Sequence, residues 1–188
     1  IKAGALGAVL FGCLLMFLFI FVRFKKWTYG LGAVVALFHD VLVVLSVYTI
    51  FNGILPFSLE IDQAFVAAIL TVMGYSMTDT VVVFDRIREY FRKSPNESKT
   101  SVINRAINDT LSRTIMTSLT VFITLLILFV FGGETTRGFA FAMLIGVFTG
   151  TYSSIFVAAP VLVDMDKSGS LKVEEDRDAR VEELKKMA

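Results

Sequence analysis

The sequence predicts an all-α fold, a polytopic membrane helix bundle with five transmembrane helices. Three observations predict it. The chain of 188 residues is 55% hydrophobic and 19% charged, with a mean hydropathy of +0.72, whereas a soluble domain disperses about 25% charge along its length. The charge is clumped, leaving five uncharged or nearly uncharged stretches at 3–22, 27–51, 63–84, 114–133 and 138–163. Each of these reaches the roughly 20 residues that cross a ~30 Å hydrocarbon core. This pattern excludes a soluble globular enzyme, a nucleic-acid-binding domain and a disordered chain. The net charge of +1 implies no polyanionic partner, hence no nucleic acid.

The first stretch carries a row of small residues, Gly4, Ala8 and Gly12, whose fourfold spacing lets helices approach closely in lipid. It also holds Cys13, the single cysteine, so a disulfide within the chain and a Cys/His zinc cluster are both impossible. Its apolar core is longer than that of a signal peptide and is not followed by a small-residue cleavage site. With Ile1 in place of methionine, it reads as a cut made within a longer polypeptide. The second stretch contains His39-Asp40. Gly53-Ile54-Leu55-Pro56 is a turn signal leading to the third.

The third stretch continues as a charged extension, 85–93, until Ser94-Pro95-Asn96 breaks it. Residues 101–112 then read as an amphipathic helix with Val102, Ile103, Ala106, Ile107 and Leu111 on one face. This segment is expected to lie along the inner membrane surface before the fourth span. Gly132-Gly133 marks the next turn, and Ala142, Gly146 and Gly150 form a second small-residue row in the fifth stretch. The organisation is therefore a transmembrane bundle over 1–165, with a cytoplasmic amphipathic segment at 85–113 and a charged cytoplasmic tail at 166–188.

Loop charges orient the bundle. Residues 23–26 hold three basic side chains and 85–113 hold seven, against Lys2 and Arg137 on the other face. The positive-inside rule places the N-terminus outside and the C-terminus in the cytoplasm. An outside start on a span without a signal points to an earlier span preceding Ile1.

Ionisable groups inside a span are functional candidates by default, and three qualify. Asp79 lies six residues before Asp85, so about 9 Å deep from the cytoplasmic end. His39-Asp40 lies near the middle of the second span. Arg113 stands at the inner mouth of the fourth. Thr71, Tyr75 and Asp79 recur at i, i+4 and i+8 with Ser76 beside them, and Arg113, Thr117, Thr120 and Thr124 form a similar stripe. A polar stripe must face the bundle or water, so the two stripes are expected to bring Asp79 and Arg113 together.

Such a pair has a use. Burial penalises the charged form of a carboxyl, while a guanidinium nearby favours it. Helices that join and separate the two groups would take up and release a proton, a motor worth about 2.3 kcal/mol per charge per 100 mV. The alternative is a static ion pair that locks the bundle. His39 and Asp40 are secondary relay candidates; alternatively, Asp40 is satisfied by serines or threonines of another span. With a single histidine, no His-based metal site is expected. At the membrane edge, Asp164, Asp166, Ser168, Gly169 and Glu175 fit the spacing of a twelve-residue calcium loop. Such loops work in pairs and this one lies on the low-calcium side, so a polar exit from the last span is the preferred reading.

The sixteen residues Gly74-Tyr75-Ser76-Met77-Thr78-Asp79-Thr80-Val81-Val82-Val83-Phe84-Asp85-Arg86-Ile87-Arg88-Glu89 closely resemble the signature of SecF-type protein-export membrane proteins. His39-Asp40-Val41-Leu42 and Leu111-Ser112-Arg113-Thr114-Ile115-Met116-Thr117-Ser118 are similar to the same family, and the resemblance runs from about Ala3 to Asp164. The family is related to the resistance–nodulation–division exporters. Its members have six spans, with a periplasmic domain between the first and second, and this chain resembles spans two to six.

The resemblance implies a multi-pass protein of the bacterial cytoplasmic (inner) membrane. It would work with SecD, separate or fused, and with the SecYEG channel, using the proton-motive force to complete export of unfolded polypeptides. Protons are then the coupling ion and no cofactor is expected. Asp79 matches the family's proton-carrying aspartate, Arg113 the arginine of the partner helix, and Thr117 lies one turn along. Asp85 and Arg86 match the cytoplasmic end of the motif, where they would anchor the helix. Thr78 stands where the family usually has asparagine, and Met77 where isoleucine is commoner.

A proton-coupled small-solute exporter on the same ancestral bundle is the alternative, which the sixteen-residue stretch disfavours. A purely structural packing subunit is another, and it predicts an indifferent Asp79. An intramembrane enzyme would carry Gly-x-Gly-Asp or His-Glu-x-x-His; neither occurs, and the chain is read as no enzyme.

Overall fold

The computed structural model describes residues 2–94 and 96–165. Among these, every regular element is helical: α1 (Lys2–Phe24), α2 (Trp27–Phe51), α3 (Gln63–Lys93), α4 (Lys99–Phe131), α5 (Glu134–Ser153), a π-helical segment (Ser154–Ala158) and α6 (Ala159–Met165). The last three run on as one rod, so the described residues form five helices long and apolar enough to cross a membrane. It is an all-α, multi-pass membrane bundle.

Local chemistry sets the ends of the helices. Lys25 closes α1 in the left-handed conformation, φ 56°, with its N–H donating to Phe21 O at 2.7 Å; this is a helix stop more often made by glycine. The Asp62 carboxylate caps α3 by accepting from Phe65 N–H at 2.8 Å, and Ser98 caps α4 from Ser101 N–H. Each side chain satisfies a backbone donor that the first helical turn leaves free. At Gly132, a Cβ would stand 2.2 Å from Leu128 O, so this stop between α4 and α5 tolerates only glycine.

The centre is the α3–α5 contact. A Cβ on Gly146 would lie 2.2 Å from a Val72 methyl, and one on Gly150 would lie 2.8 Å from Ser76 Cβ. The row Ala142–Gly146–Gly150 therefore brings two backbones together where larger residues would hold them apart. In the row on α1, Gly12 meets Leu70 and Met73, while Gly4 has nothing within 4 Å. On the other side, α2 approaches the rod through Gly32 against the Ala158 carbonyl. The buried core comprises Leu37, Val44, Ile69, Val72, Met73, Phe84, Ile87 and Leu162. The exposed surface is equally apolar: Leu10, Phe11, Val22, Phe38, Ile127 and Phe148 all point outward, as a lipid-facing wall requires.

One expectation is corrected here. Residues 101–112 do not form a separate surface helix; they are the first three turns of α4, unbroken into the span. Their apolar face finds protein instead of lipid. Val102, Ile103 and Ala106 are buried, and polar contacts from Arg105 and Asp109 fasten the segment to the extension of α3.

Candidate functional site

Helices α3, α4 and α5 meet at Ser118. The Tyr75 hydroxyl donates to Ser118 Oγ at 3.1 Å, and Ser118 and Thr151 share a hydrogen bond of 2.6 Å. Ser118 is a near neighbour of the Asp79 carboxyl. Asp79 is 7% exposed, and its Oδ2 has no hydrogen-bond partner; the buried hydroxyl of Thr114, one turn from Ser118, is likewise unpartnered. A buried acceptor left unmade costs about 1–3 kcal/mol, so Asp79 is held in a polar but incomplete environment.

Arg113 is exposed and lines a cavity of about 320 Å³ that also takes in Asp85, Arg86, Glu89 and Asp109. It is within electrostatic range of Asp79. Even so, no ion pair within 4 Å joins the two among the described residues, and Asp79 Oδ2 stays free. The structure therefore brings the predicted partners to one locality without closing the pair.

The polar stripe of α4 needs correction. Thr117, Thr120 and Thr124 are exposed on this chain, and their hydroxyls return to carbonyls of their own helix at 2.8–3.0 Å, Thr117 while also standing beside the Tyr75 hydroxyl of α3. Thr71 does the same on α3, toward Ala67 O at 2.7 Å. A threonine can satisfy its hydroxyl in this way without any polar neighbour, so such a stripe need not face inward. The inward polar positions on α4 are Thr110, Thr114 and Ser118. These also recur at i, i+4 and i+8, a signal equal in strength to the stripe that was singled out.

Asp40 lies in a second polar locus, fully buried between α2, α3 and the rod. Its Oδ2 accepts from Ser76 Oγ at 2.7 Å and from Ser153 Oγ at 2.8 Å, and His39 Nδ1 stands 3.2 Å from Oδ1. Of the two readings of Asp40, satisfaction by serines of other spans describes this geometry. Thr80 and Ser154 extend the locus, their hydroxyls 2.9 Å apart. Ser153 and Ser154 escaped the sequence reading, because nothing in the fifth stretch distinguishes them from packing serines.

On the charged extension of α3, Asp85 accepts from Arg23 at 2.9 Å, tying α1 to α3. Arg86 pairs with Glu89 at 2.7 Å and reaches Asp109 of α4 at 3.8 Å. Among the described residues, no group of three or more His, Cys, Asp or Glu is placed to hold a metal ion. Of the calcium-loop candidates, Asp164 lies on α6 and is exposed. Asp166, Ser168, Gly169 and Glu175 lie outside the described residues.

Comparison with known proteins adds a second line. Residues 1–168 match the family described as protein export membrane protein SecD/SecF, C-terminal. The chain is 54% identical over 165 residues to the protein translocase subunit SecF of Rhodothermus marinus, covering 88% of this chain and 53% of that protein. It is 46% identical over 173 residues to the same subunit of Thermodesulfovibrio yellowstonii, covering 91% and 55%. The chain thus spans about half the length of these relatives.

Among solved structures, it superposes with a TM-score of 0.78 and 42% identity on SecDF from Thermus thermophilus, a translocon-associated membrane protein, covering 87% of this chain and 22% of that one. For the super-membrane-facing form of SecDF, the TM-score is 0.73 and the identity 37%, covering 92% and 21%. These relatives carry the names of translocase components, which leaves the small-solute exporter reading without support.

Proposed function

We propose, from the premise that this chain belongs to the SecD/SecF family of protein-export membrane proteins, that it is the membrane engine of a proton-driven accessory subunit of Sec translocation. The observation that carries this reading is the state of Asp79. A static lock calls for a closed ion pair. Here the carboxyl is buried with a free oxygen, and Arg113 sits nearby in a cavity beside other charged groups. That arrangement suits a carboxyl that exchanges protons: neutral where Arg113 stands off, charged where the guanidinium closes on it.

The reading assigns Asp79 as proton carrier, Arg113 as its charge partner, and Thr117 and Ser118, which both stand beside the Tyr75 hydroxyl, as the polar neighbours on the partner helix. Asp85 and Arg86 anchor the cytoplasmic end. SecD, the SecYEG channel and unfolded exported polypeptides are the partners, and the proton is the coupling ion. The bacterial inner membrane is the location, with residue 2 on the outer side and residue 165 on the cytoplasmic side, as the basic residues at 23–26 and 85–113 favour.

The test is Asp79→Asn in the full-length protein with its partners, measuring polypeptide export into vesicles with and without an imposed proton gradient. Loss of gradient stimulation with normal insertion and assembly is expected; equal stimulation of variant and wild type refutes the reading.

A further inference from the structure

Asp40 is more deeply buried than Asp79, and the proton pair above does not use it. Its surroundings connect it to that pair. Ser76, which donates to Asp40, precedes Asp79 by three residues on α3 and so lies on nearly the same helix face. Thr80, which follows Asp79, bonds to Ser76 O at 3.1 Å and to the Ser154 hydroxyl at 2.9 Å. Ser154 opens the π-helical segment, and Ser153 just before it gives its hydroxyl to Asp40. Both flanks of Asp79 are therefore fastened to the fifth span through hydroxyls, and Asp40 is the ionisable group in that fastening. π-Segments inside α-helices are rare and frequently mark functional sites.

The fastening has an alternative hydrogen bond within reach. Ser153 Oγ is also within 3.2 Å of Gly150 O on its own helix. It can turn from Asp40 to that carbonyl without losing a hydrogen bond. A carboxylate holds two hydroxyls converging on Oδ2 more strongly than does the carbonyl of a neutral acid, whose proton would sit on Oδ1 facing His39 Nδ1. The titratable groups around Asp40 are His39 beside it on α2, Tyr152 of α5 whose ring lies 6.3 Å from that of His39, and Tyr75 and Asp79 on α3, with Arg113 of α4 beyond Asp79.

We propose that Asp40 is a positioning residue for Asp79: its charge holds Ser76 and Ser153 together, setting how α3 sits against α5, so that the protonation states of the two aspartates are coupled. The coupling is a physical property of the bundle; only its consequence for export rests on the function proposed above.

The experiment is infrared titration of the carboxyl bands in the reconstituted full-length protein, for wild type, Asp40→Asn, Asp79→Asn and Ser153→Ala, alongside export at a series of pH values. Asp40→Asn keeps the shape and one acceptor oxygen, and replaces the other with an amide NH2 that cannot titrate. It is expected to erase one band, to move the Asp79 midpoint by at least about half a pH unit, and to displace the pH profile of gradient-driven export. A purely structural Asp40 leaves the Asp79 midpoint unmoved, and that result overturns the proposal whatever happens to export rate. Should Asp40→Asn fail to assemble, Ser153→Ala decides by the same midpoint. If Asp79→Asn leaves export intact, the proton-drive reading falls alone, and the midpoints still decide the coupling.

Discussion

Asp40 and Asp79 are both carboxylates buried in one membrane bundle, yet they are held in opposite ways. Asp40 has Ser76, Ser153 and His39 around it, drawn from two other elements and its own. Asp79 has Ser118 as a neighbour, Arg113 at a distance and a free Oδ2. A satisfied carboxylate joins helices. An unsatisfied one keeps a cost that packing alone would have removed, and it is the group able to change its charge when the neighbourhood changes. Under the function proposed above, this difference separates a fastening from a working group more clearly than burial does.

The comparison breaks most completely at the contact that supports both sites. Gly146→Leu drives a side chain into Val72, where even a Cβ meets a methyl at 2.2 Å. Overpacking of this kind costs typically 1–3 kcal/mol, and the short branched Val72 leaves little room to yield, so about 3 kcal/mol or more is expected here. Thermal unfolding of the purified protein should show the loss, with both polar loci disturbed. A variant that melts with wild type would mean that α3 and α5 are not in contact at this level.

Alanine at each aspartate sharpens the contrast. Asp40→Ala strands the Ser76 hydroxyl and leaves Ser153 only its own-helix carbonyl, for an expected loss of about 1–3 kcal/mol. Asp79→Ala removes an acceptor whose Oδ2 was already unpartnered and should change stability little while abolishing gradient-driven export. Melting temperature and export together check it: the ranking of the two variants should reverse between the measurements. Ser118→Ala comes next, at about 1 kcal/mol. It removes the acceptor of Tyr75 and the partner of Thr151, and it should alter the pH profile of export. An unchanged profile would remove Ser118 from the Asp79 site.

The span pattern was legible because lipid imposes it. Runs without charge give the helices, and Gly132 marks a stop by local chemistry. Two features were not legible. The apolar face of 101–112 has the same periodicity whether it meets lipid or another helix, and only the length of α3 beyond the membrane decides that it meets protein. Nor does spacing reveal where a hydroxyl goes. Thr120 and Thr124 turn only to their own carbonyls, while Ser118 and Ser153 also reach across to other helices. The carboxylates were easier to find, since an acid in a span is rare enough to stand out alone.

The smallest effect is expected where a third carboxylate, Glu89, sits outside the apolar stretch on the charged extension of α3. Hydrogen bonds from Lys93 at 2.6 Å and Arg86 at 2.7 Å hold its carboxyl down, at about 2. A carboxyl depressed in the folded state contributes stability above its ordinary value near 4.5, and that contribution fades as pH falls toward 2. Being exposed, these pairs are screened by water and salt. Glu89→Gln should therefore leave the melting temperature at neutral pH and high salt unchanged within error, and should show a small decrease at low salt that disappears when the pH is lowered toward 2. A large loss at neutral pH, comparable to that of Asp40→Ala, would mean that the ion pairs of this extension hold the α3–α4 hairpin together, and that fastening carboxylates are not confined to the apolar spans.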